Sequence, residues 1–113
     1  MFTLCWSEEA KQQFHEIQAY AEIVAKRASK KEKSSRQEGL YKQLIKALKF
    51  LRENPRHPGL HTHVYSAIEH PWSRKEKVFE AYVQNQTPGA YRIFWCYGPL
   101  SKEITILSIV QHP

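Results

Sequence analysis

The chain has 113 residues, a mass of 13.3 kDa and a formal net charge of +6, with 42% hydrophobic and 25% charged residues. This length and composition predict one globular domain with its own core, and they exclude the disordered and membrane-spanning classes. No apolar run approaches the ~20 residues of a spanning helix, and the N-terminus lacks a basic leader with a long apolar core, so we expect a cytoplasmic protein. The positive charge permits binding to nucleic acid, an anionic membrane surface or an acidic protein without choosing among them.

The chain begins with a predicted strand and a first helix. Residues 2–6 alternate and are rich in β-forming side chains. Ser7 followed by Glu8 and Glu9 is typical of a helix start, because the serine caps an orphan amide and the carboxylates favour the positive end of the helix dipole. Apolar residues then recur every three or four positions as far as Ala28, which predicts one buried stripe.

A second helix is predicted after a polar connector at residues 29–34. Ser35 and Glu38 form a capping box at its start. Asn54 and Pro55 end it, because the residue before a proline avoids the helical conformation. Two helices joined by a short polar turn form an antiparallel hairpin.

The second half of the chain predicts four strands. They cover residues 60–68, 78–85, 91–97 and 104–110. Turn-forming residues separate the last three, which we interpret as an antiparallel meander. The expected fold is therefore α+β: an N-terminal strand, an antiparallel helical hairpin and an antiparallel sheet, all in a single domain over residues 1–113.

Cysteine and histidine residues give no strong metal or redox signal. Cys5 and Cys96 lie in predicted strands without metal-binding or redox spacing, so we interpret them as reduced core residues. His61 and His63 share a strand face at a spacing of two and could bind a metal together. A third ligand would have to come from His57 or further away, so contact with phosphate, or simple solvation, is favoured instead.

The element order and two short motifs point to a known family. The motifs are the Tyr-Arg-apolar-apolar-aromatic run at residues 91–95 and the closing apolar strand at residues 104–110. Together they resemble the RelE/ParE superfamily of bacterial toxins from toxin–antitoxin pairs. The resemblance implies a basic sheet face and a small antitoxin that neutralises the toxin. In the RelE-like branch this face cleaves messenger RNA in the ribosomal decoding site, whereas the ParE-like branch inhibits DNA gyrase.

The resemblance also implies roles for individual residues. Arg92 matches the family's strand arginine, which contacts the scissile phosphate, and His112 lies where YoeB-like members place a catalytic histidine. The triplet at residues 72–74, Trp-Ser-Arg, is similar to those members as well. The chain departs from the family pattern in three places. Residues 78–85 carry no lysine pair, residues 55–59 carry no carboxylate, and the sequence has no tyrosine after residues 104–110.

RNA cleavage by a 2′-hydroxyl group needs a base, an acid and a cation beside the phosphate. Arg92 can supply the cation unless it pairs with Glu80 on the neighbouring strand. His112 can serve as acid or base, and Glu80 is the carboxylate best placed to act as a base. Residues predicted to contact nucleic acid are His61, His63, Arg74, Lys75, Lys77, Tyr82 and Tyr97.

These observations predict a toxin that is a metal-independent endoribonuclease, requires no cofactor, and acts on messenger RNA at the ribosome. Its expected partners are an antitoxin, messenger RNA and the ribosome. Two alternatives stay open: a toxin that inhibits a protein such as DNA gyrase, and a catalytically silent RNA-binding domain.

Overall fold

The computed structural model describes residues 1–27, 36–85 and 89–112. Within these ranges the helices are α1 (Glu8–Arg27) and α2 (Arg36–Glu53), and a 3₁₀ turn spans Pro58–Leu60. The strands are β1 (Thr3–Trp6), β2 (His63–Val64), β3 (Phe79–Tyr82), β4 (Tyr91–Tyr97) and β5 (Glu103–Gln111). They form one sheet in the order β1-β5-β4-β3-β2. Among the described residues, no helix is long and apolar enough to cross a membrane.

Both predicted helices are present. Ser7 caps α1, because its Oγ accepts a hydrogen bond from the Ala10 amide at 2.9 Å. Helix α2 ends at Glu53, immediately before Asn54 and Pro55, as predicted. Ala28, the predicted connector and the capping residue Ser35 lie outside the described residues. The buried helical side chains are Ala10, Ala21, Leu44, Ala47, Leu48 and Leu51.

The predicted α+β fold is confirmed, and the sheet is mixed because the N-terminal strand, whose pairing the sequence did not predict, joins it in parallel. Strands β3, β4 and β5 form the expected antiparallel meander. Strand β1 instead pairs in parallel with β5, from Thr3 opposite Glu103 to Trp6 opposite Ile106. A parallel pair requires a long crossover connection, and here nearly the whole chain separates the two strands.

The first strand after the helices is much shorter than predicted. Residues 60–68 were expected to be extended, but β2 contains two residues, His63 and Val64. The 3₁₀ turn buries Leu60, and His61 then adopts a left-handed conformation with φ of 48°. An extended strand cannot pass through that conformation, so His61 and His63 do not share a strand face.

Strand β3 also ends earlier than predicted, at Tyr82 instead of Asn85. The amides of Val83 and Gln84 both point to the carbonyl oxygen of Tyr91, at 3.1 and 3.4 Å. Two amides that share one acceptor break the regular ladder, and pairing between β3 and β4 stops there.

Alternate residues of β3, β4 and β5 form two different faces. The helix face packs against α1 and α2 and includes Phe79, Ala81, Ile93, Trp95, Ile104, Ile106 and Ile109. The outer face, on the opposite side, includes Glu80, Tyr82, Arg92, Phe94, Cys96, Thr105, Ser108 and Val110. Among the described residues, the buried polar or charged ones are Glu80, Arg92, Thr105 and Ser108, and all four belong to the outer face.

The loop at residues 65–77 covers part of the outer face. The Tyr65 ring packs on Phe94 with centroids 4.6 Å apart. Trp72 packs against Gly98, which has a φ of 100°, and a Cβ atom at this glycine would lie 2.9 Å from the indole ring. The outer face is therefore covered at Phe94. Burial raises the pKa of the Cys96 thiol on the same face to about 11, with a smaller contribution from the carboxylate of Glu76.

His70 holds this loop in shape. Its Nδ1 atom accepts hydrogen bonds from the amides of Trp72 at 3.3 Å and Ser73 at 3.1 Å. Its Nε2 atom lies 3.2 Å from a carboxylate oxygen of Glu76. The imidazole is buried and organises the turn from its centre.

A β-bulge interrupts the pairing of β4 with β5. Phe94 lies opposite Ser108, whereas the next residue, Trp95, lies opposite Ile106, so Leu107 has no partner on β4. The Leu107 carbonyl oxygen accepts a hydrogen bond from Ser7 Oγ at 2.7 Å. Ser7, the residue that caps α1, thus satisfies a polar group that the bulge removes from the sheet.

Candidate active site

The uncovered end of the outer face gathers five side chains, which we call the Glu80 cluster: His63, Glu80, Tyr82, Arg92 and His112. Strand pairing places His63 directly opposite Glu80, and Tyr82 directly opposite Arg92. The His112 amide donates a hydrogen bond to the Ala90 carbonyl oxygen at 2.8 Å, which keeps the end of the chain beside β4.

Glu80 lies at the centre of the cluster and is 2% exposed. One carboxylate oxygen is 2.6 Å from His63 Nε2, and the other is 3.5 Å from His112 Nε2. The two imidazoles are about half exposed, at 46% and 44%. A buried carboxylate is costly without partners, so the histidines stabilise Glu80 and also connect it to solvent.

The second ring nitrogen of His63 fixes where one proton lies. His63 Nδ1 is 2.9 Å from the His61 carbonyl oxygen. A carbonyl oxygen can only accept, so Nδ1 donates and carries a hydrogen. The ring is therefore oriented with Nε2 toward the carboxylate of Glu80.

Arg92 is 8% exposed, and its guanidinium contacts backbone carbonyl oxygens and an aromatic ring. Its Nη1 atom donates to the carbonyl oxygens of Gln84 at 2.5 Å and Tyr91 at 3.1 Å. Its central carbon lies 3.7 Å from the centroid of the Tyr82 ring, a cation–π contact. In the described part of the chain the buried Nε atom has no hydrogen-bond partner, and the guanidinium has no carboxylate within ion-pair distance.

Strand register explains why Arg92 does not pair with Glu80. Arg92 opposes Tyr82, whereas Glu80 opposes Phe94, so the two charges lie on a diagonal two residues apart. The cross-strand ion pair, one of the two alternatives for Arg92, is absent among the described contacts. A largely buried cation without a neutralising carboxylate attracts an anion strongly, and phosphate binding by Arg92 stays a prediction.

The other predicted nucleic-acid contacts fall into three places. Tyr82 belongs to the cluster, and the His61 ring lies 5.1 Å from it. Arg74, Lys75 and Lys77 are exposed on the loop at residues 65–77. Tyr97 lies elsewhere, on the helix face: its ring packs against those of Phe2, Phe79 and Trp95.

Gln84 is a site residue that sequence reasoning missed. Besides accepting from Arg92 through its backbone, its side-chain oxygen accepts from the Tyr91 amide at 3.1 Å. Its side-chain nitrogen donates to Gln43 of α2 at 3.1 Å. The sequence carries no signal for this role, because the contact to Arg92 uses a backbone carbonyl that every residue possesses.

A cavity of about 390 Å³ borders the cluster. Its lining includes Tyr82 and His61, and it also includes Phe50 and Gln43 from α2. Aromatic rings with a few amide groups are the surfaces on which unstacked nucleobases bind. A larger cavity of about 530 Å³ between the helices and the sheet is lined by none of the cluster residues.

Metal binding by His57, His61 and His63 gains no support from the structure. The His57 ring stacks on Phe50 at 3.8 Å, and its Nδ1 atom accepts from the Gly59 amide. Over residues 1–27, 36–85 and 89–112, no set of three or more His, Cys, Asp or Glu side chains is arranged to hold a metal ion.

Comparison with known proteins identifies the fold of the chain. Neither a family model nor a curated protein matches the amino-acid sequence. The structure matches a YoeB/ParE toxin from Agrobacterium tumefaciens with a TM-score of 0.63, covering 100% of both chains at 6% identity. The chain has the fold of the RelE/ParE toxins.

Two further solved toxin structures also match this chain. A metal-bound toxin from Helicobacter pylori has a TM-score of 0.56 and 13% identity, covering 99% of this chain and 96% of its own. The archaeal RelE–RelB complex from Pyrococcus horikoshii OT3 has a TM-score of 0.55 and 12% identity, covering 97% and 93%. The fold implied by the sequence resemblance is thus confirmed; identities this low establish a RelE/ParE fold and leave the activity to the site.

Proposed function

We propose that this chain is the toxin of a toxin–antitoxin pair, and that it is a metal-independent endoribonuclease that cleaves messenger RNA at the ribosome. The observation that carries the proposal is the Glu80 cluster. In it two half-exposed histidines flank one buried carboxylate, beside an arginine that has no carboxylate partner within residues 1–27, 36–85 and 89–112. The RelE/ParE fold supports it, because the cluster lies on the sheet face opposite the helices.

Each chemical requirement of the reaction has a candidate in the cluster. Arg92 binds the phosphate and stabilises the charge that develops on it, since its planar guanidinium is fixed by two carbonyl oxygens and the Tyr82 ring. His112 acts as acid or base, because its imidazole reaches solvent at the end of β5. Glu80 orients the histidines from below and stays out of contact with RNA because it is buried.

A second protein completes the proposed system. The archaeal relative was crystallised as a RelE–RelB complex. We infer a small antitoxin for this chain that neutralises it by binding. Two alternative functions would give different results in the experiment below. They are inhibition of a protein target such as DNA gyrase, and RNA binding without cleavage.

The test is induced expression of the chain without an antitoxin in a bacterial host, with growth followed and the 5′ ends of cellular messenger RNA mapped. We expect growth arrest with new 5′ ends inside translated messages. Arg92→Ala and His112→Ala should abolish both effects, because each removes a group that contacts the phosphate or transfers a proton.

A matched control is His15→Ala, which removes an exposed histidine from α1 on the other side of the sheet. It should retain full toxicity. Circular dichroism of each purified variant separates lost chemistry from lost folding. Arrest without new 5′ ends would replace the ribonuclease by an inhibitor of a protein target, and normal growth with intact messages would leave an RNA-binding domain.

A further inference from the structure

We propose that the cavity of about 390 Å³ beside the Glu80 cluster binds one base of the RNA substrate and selects guanine. The inference rests on the proposed ribonuclease function and deepens it by naming the residues that set the base preference. It follows from the aromatic lining of the cavity, from the wall that the cavity shares with Arg92, and from two hydrogen-bond donors on Gln43 and Lys46.

The cavity lies between helix α2 and the end of strand β3. One wall is a single face of α2, because its members follow one another at helical spacings of three, four and seven residues: Gln43, Lys46, Ala47 and Phe50. The other wall includes His61 and Tyr82, whose ring centroids are 5.1 Å apart. Both walls therefore carry aromatic rings on which an unstacked base can pack.

The cavity and the proposed phosphate site share the Tyr82 side chain. Tyr82 lines the cavity, and the central carbon of the Arg92 guanidinium lies 3.7 Å from the centroid of its ring. Because only one aromatic ring separates the two places, a base in the cavity and a phosphate on Arg92 belong to the same nucleotide or to neighbouring ones. The cavity is thus placed to read the RNA beside the cleavage position.

A chain of hydrogen bonds fixes the orientation of the Gln43 amide. The backbone N–H of Tyr91 can only donate, so the Gln84 side-chain atom that it contacts, at 3.1 Å, is the oxygen. The Gln84 nitrogen then donates to Gln43 Oε1 at 3.1 Å. This leaves Gln43 Nε2 as a donor, and no acceptor bonds to it within residues 1–27, 36–85 and 89–112.

Lys46 supplies a second donor on the same face of α2, three residues after Gln43. Its Nζ atom lies 5.7 Å from the centroid of the Phe50 ring, which also lines the cavity. In the described part of the chain no carboxylate pairs with this ammonium group, and none of the described lining residues is Asp or Glu. The cavity therefore presents donors, and it favours a ligand that presents acceptors.

Guanine has the complementary edge. Its N7 and O6 atoms are neighbouring acceptors, whereas adenine places an amino donor beside N7 and cytosine also presents an amino donor. Proteins read such edges on single-stranded RNA while aromatic side chains stack on the base. The donors of Gln43 and Lys46 thus bind N7 and O6 of the guanine, and the rings of Tyr82 and Phe50 contact its faces.

Binding of short RNA analogues tests the inference without cleavage. The probes are labelled trinucleotides with one variable base between two uracils; fluorine replaces every 2′-hydroxyl group, so they cannot be cut. Fluorescence anisotropy at one salt concentration should show guanine binding about 10–100-fold tighter than adenine or cytosine. Hypoxanthine, which keeps N7 and O6, should match guanine, whereas 7-deazaguanine, which lacks the N7 acceptor, should bind as weakly as adenine.

Gln43→Glu is the informative variant. It keeps an oxygen that accepts from Gln84 and replaces only the donor by a second acceptor, so the fold should be retained and the preference for guanine should be lost. Lys46→Met, which removes the charge at similar length, should weaken guanine binding. The matched control is Lys49→Met, at an exposed position of α2 outside the cavity lining, which should keep the preference.

Mapping the cuts in cells gives a second readout. The 5′ ends made by the wild type should show guanine enriched at one fixed position beside the cut, and Gln43→Glu should still cut but lose that enrichment. Equal affinity for all five trinucleotides, no measurable binding, or a preference for another base would overturn the inference, and continued cleavage would still support the proposed function. Guanine-selective binding by a protein that cuts no RNA would instead reject the ribonuclease and leave the cavity as a guanine-binding site.

Discussion

The two faces of the sheet are built from alternate residues of the same three strands, yet they differ in chemistry. The helix face is apolar, with Ile93 and Trp95 fully buried against α1 and α2. The outer face holds the buried polar and charged groups of the described chain, including Glu80 and Arg92. Period-two alternation lets one strand contribute to the core and to the candidate active site at the same time.

This difference predicts that a substitution on the helix face mainly lowers stability, whereas a substitution at the next residue, on the outer face, mainly lowers activity. Arg92 and Ile93 are neighbours in β4, and each is largely or fully buried, but their side chains leave the sheet in opposite directions. Substitutions at the two positions should therefore produce different defects. The predictions below test this separation, in order of decreasing expected effect.

The largest effect is expected for Ile93→Ala on the helix face. Removing a fully buried isoleucine side chain leaves a cavity beneath the helices and should lower the free energy of unfolding by about 2–5 kcal/mol. Urea titration measures this loss. Cleavage per folded molecule should remain near the wild-type rate at a permissive temperature, and a parallel loss of catalytic rate would mean that the two faces are not separable.

Arg92→Lys is the complementary substitution on the outer face. Lysine keeps the charge but loses the planar group that bonds two carbonyl oxygens and stacks on Tyr82. We expect about a 10²-fold lower cleavage rate, since phosphate stabilisation depends on fixed donors. The matched control is Arg52→Lys at an exposed position of α2, which should retain the wild-type rate.

Gly98→Ala should disturb the packing of the loop at residues 65–77 on the outer face. A side chain at φ of 100° is strained, and its Cβ atom would lie 2.9 Å from the Trp72 ring. We expect the free energy of unfolding to fall by about 1–3 kcal/mol and the tryptophan fluorescence to shift. Gly39→Ala is the control, because nothing lies within 4 Å of a Cβ atom there and alanine favours a helix.

Cys96 should make stability depend on alkaline pH. Folding raises the pKa of its thiol from 9.0 to about 11, so the unfolded chain releases this proton more readily than the folded chain. The contribution of Cys96 to the free energy of unfolding is therefore fully present below about pH 9 and is lost as the pH rises toward 11. Its slope reaches about 1.4 kcal/mol per pH unit. Urea titrations from pH 8 to 11 should show this slope as the difference between wild type and Cys96→Ala; equal curves would contradict it.

The smallest effect is expected at His70. His70→Ala removes the acceptor for the amides of Trp72 and Ser73. It should lower the free energy of local unfolding of this loop by about 1 kcal/mol. Hydrogen exchange at these two amides should accelerate. His70→Asn restores an acceptor suited to an amide two residues on, so exchange in that variant should stay closer to wild type.

Local signals in the sequence predicted much of the fold. The Ser7 cap, the apolar spacing in the helices and the Asn54–Pro55 stop depend on neighbouring residues, and the structure has each of them. The parallel pairing of β1 with β5 depends on contacts between the two ends of the chain, which periodicity cannot reveal. The left-handed conformation of His61 was not predicted, because the residue types around it still follow the alternation typical of a strand.

The candidate site was predicted less completely for the same reason. Arg92, Glu80 and His112 stand out by residue type, and the structure brings all three to one end of the outer face. The contact of His63 with Glu80 depends on how β2 pairs with β3, across a loop that separates them in sequence. Residue types therefore predicted the candidates, and strand register decided which of them meet.

The bulge at Leu107 has a consequence for the end of the chain. Ile104 and Ile106 point to the helices, and strict alternation would send every later even-numbered residue the same way. The extra residue reverses this order, so Ile109 returns to the core, Val110 lies opposite Arg92 on the outer face, and His112 lies beside Glu80. A single added residue, bonded by Ser7 at the start of the first helix, thus decides on which side of the sheet His112 lies.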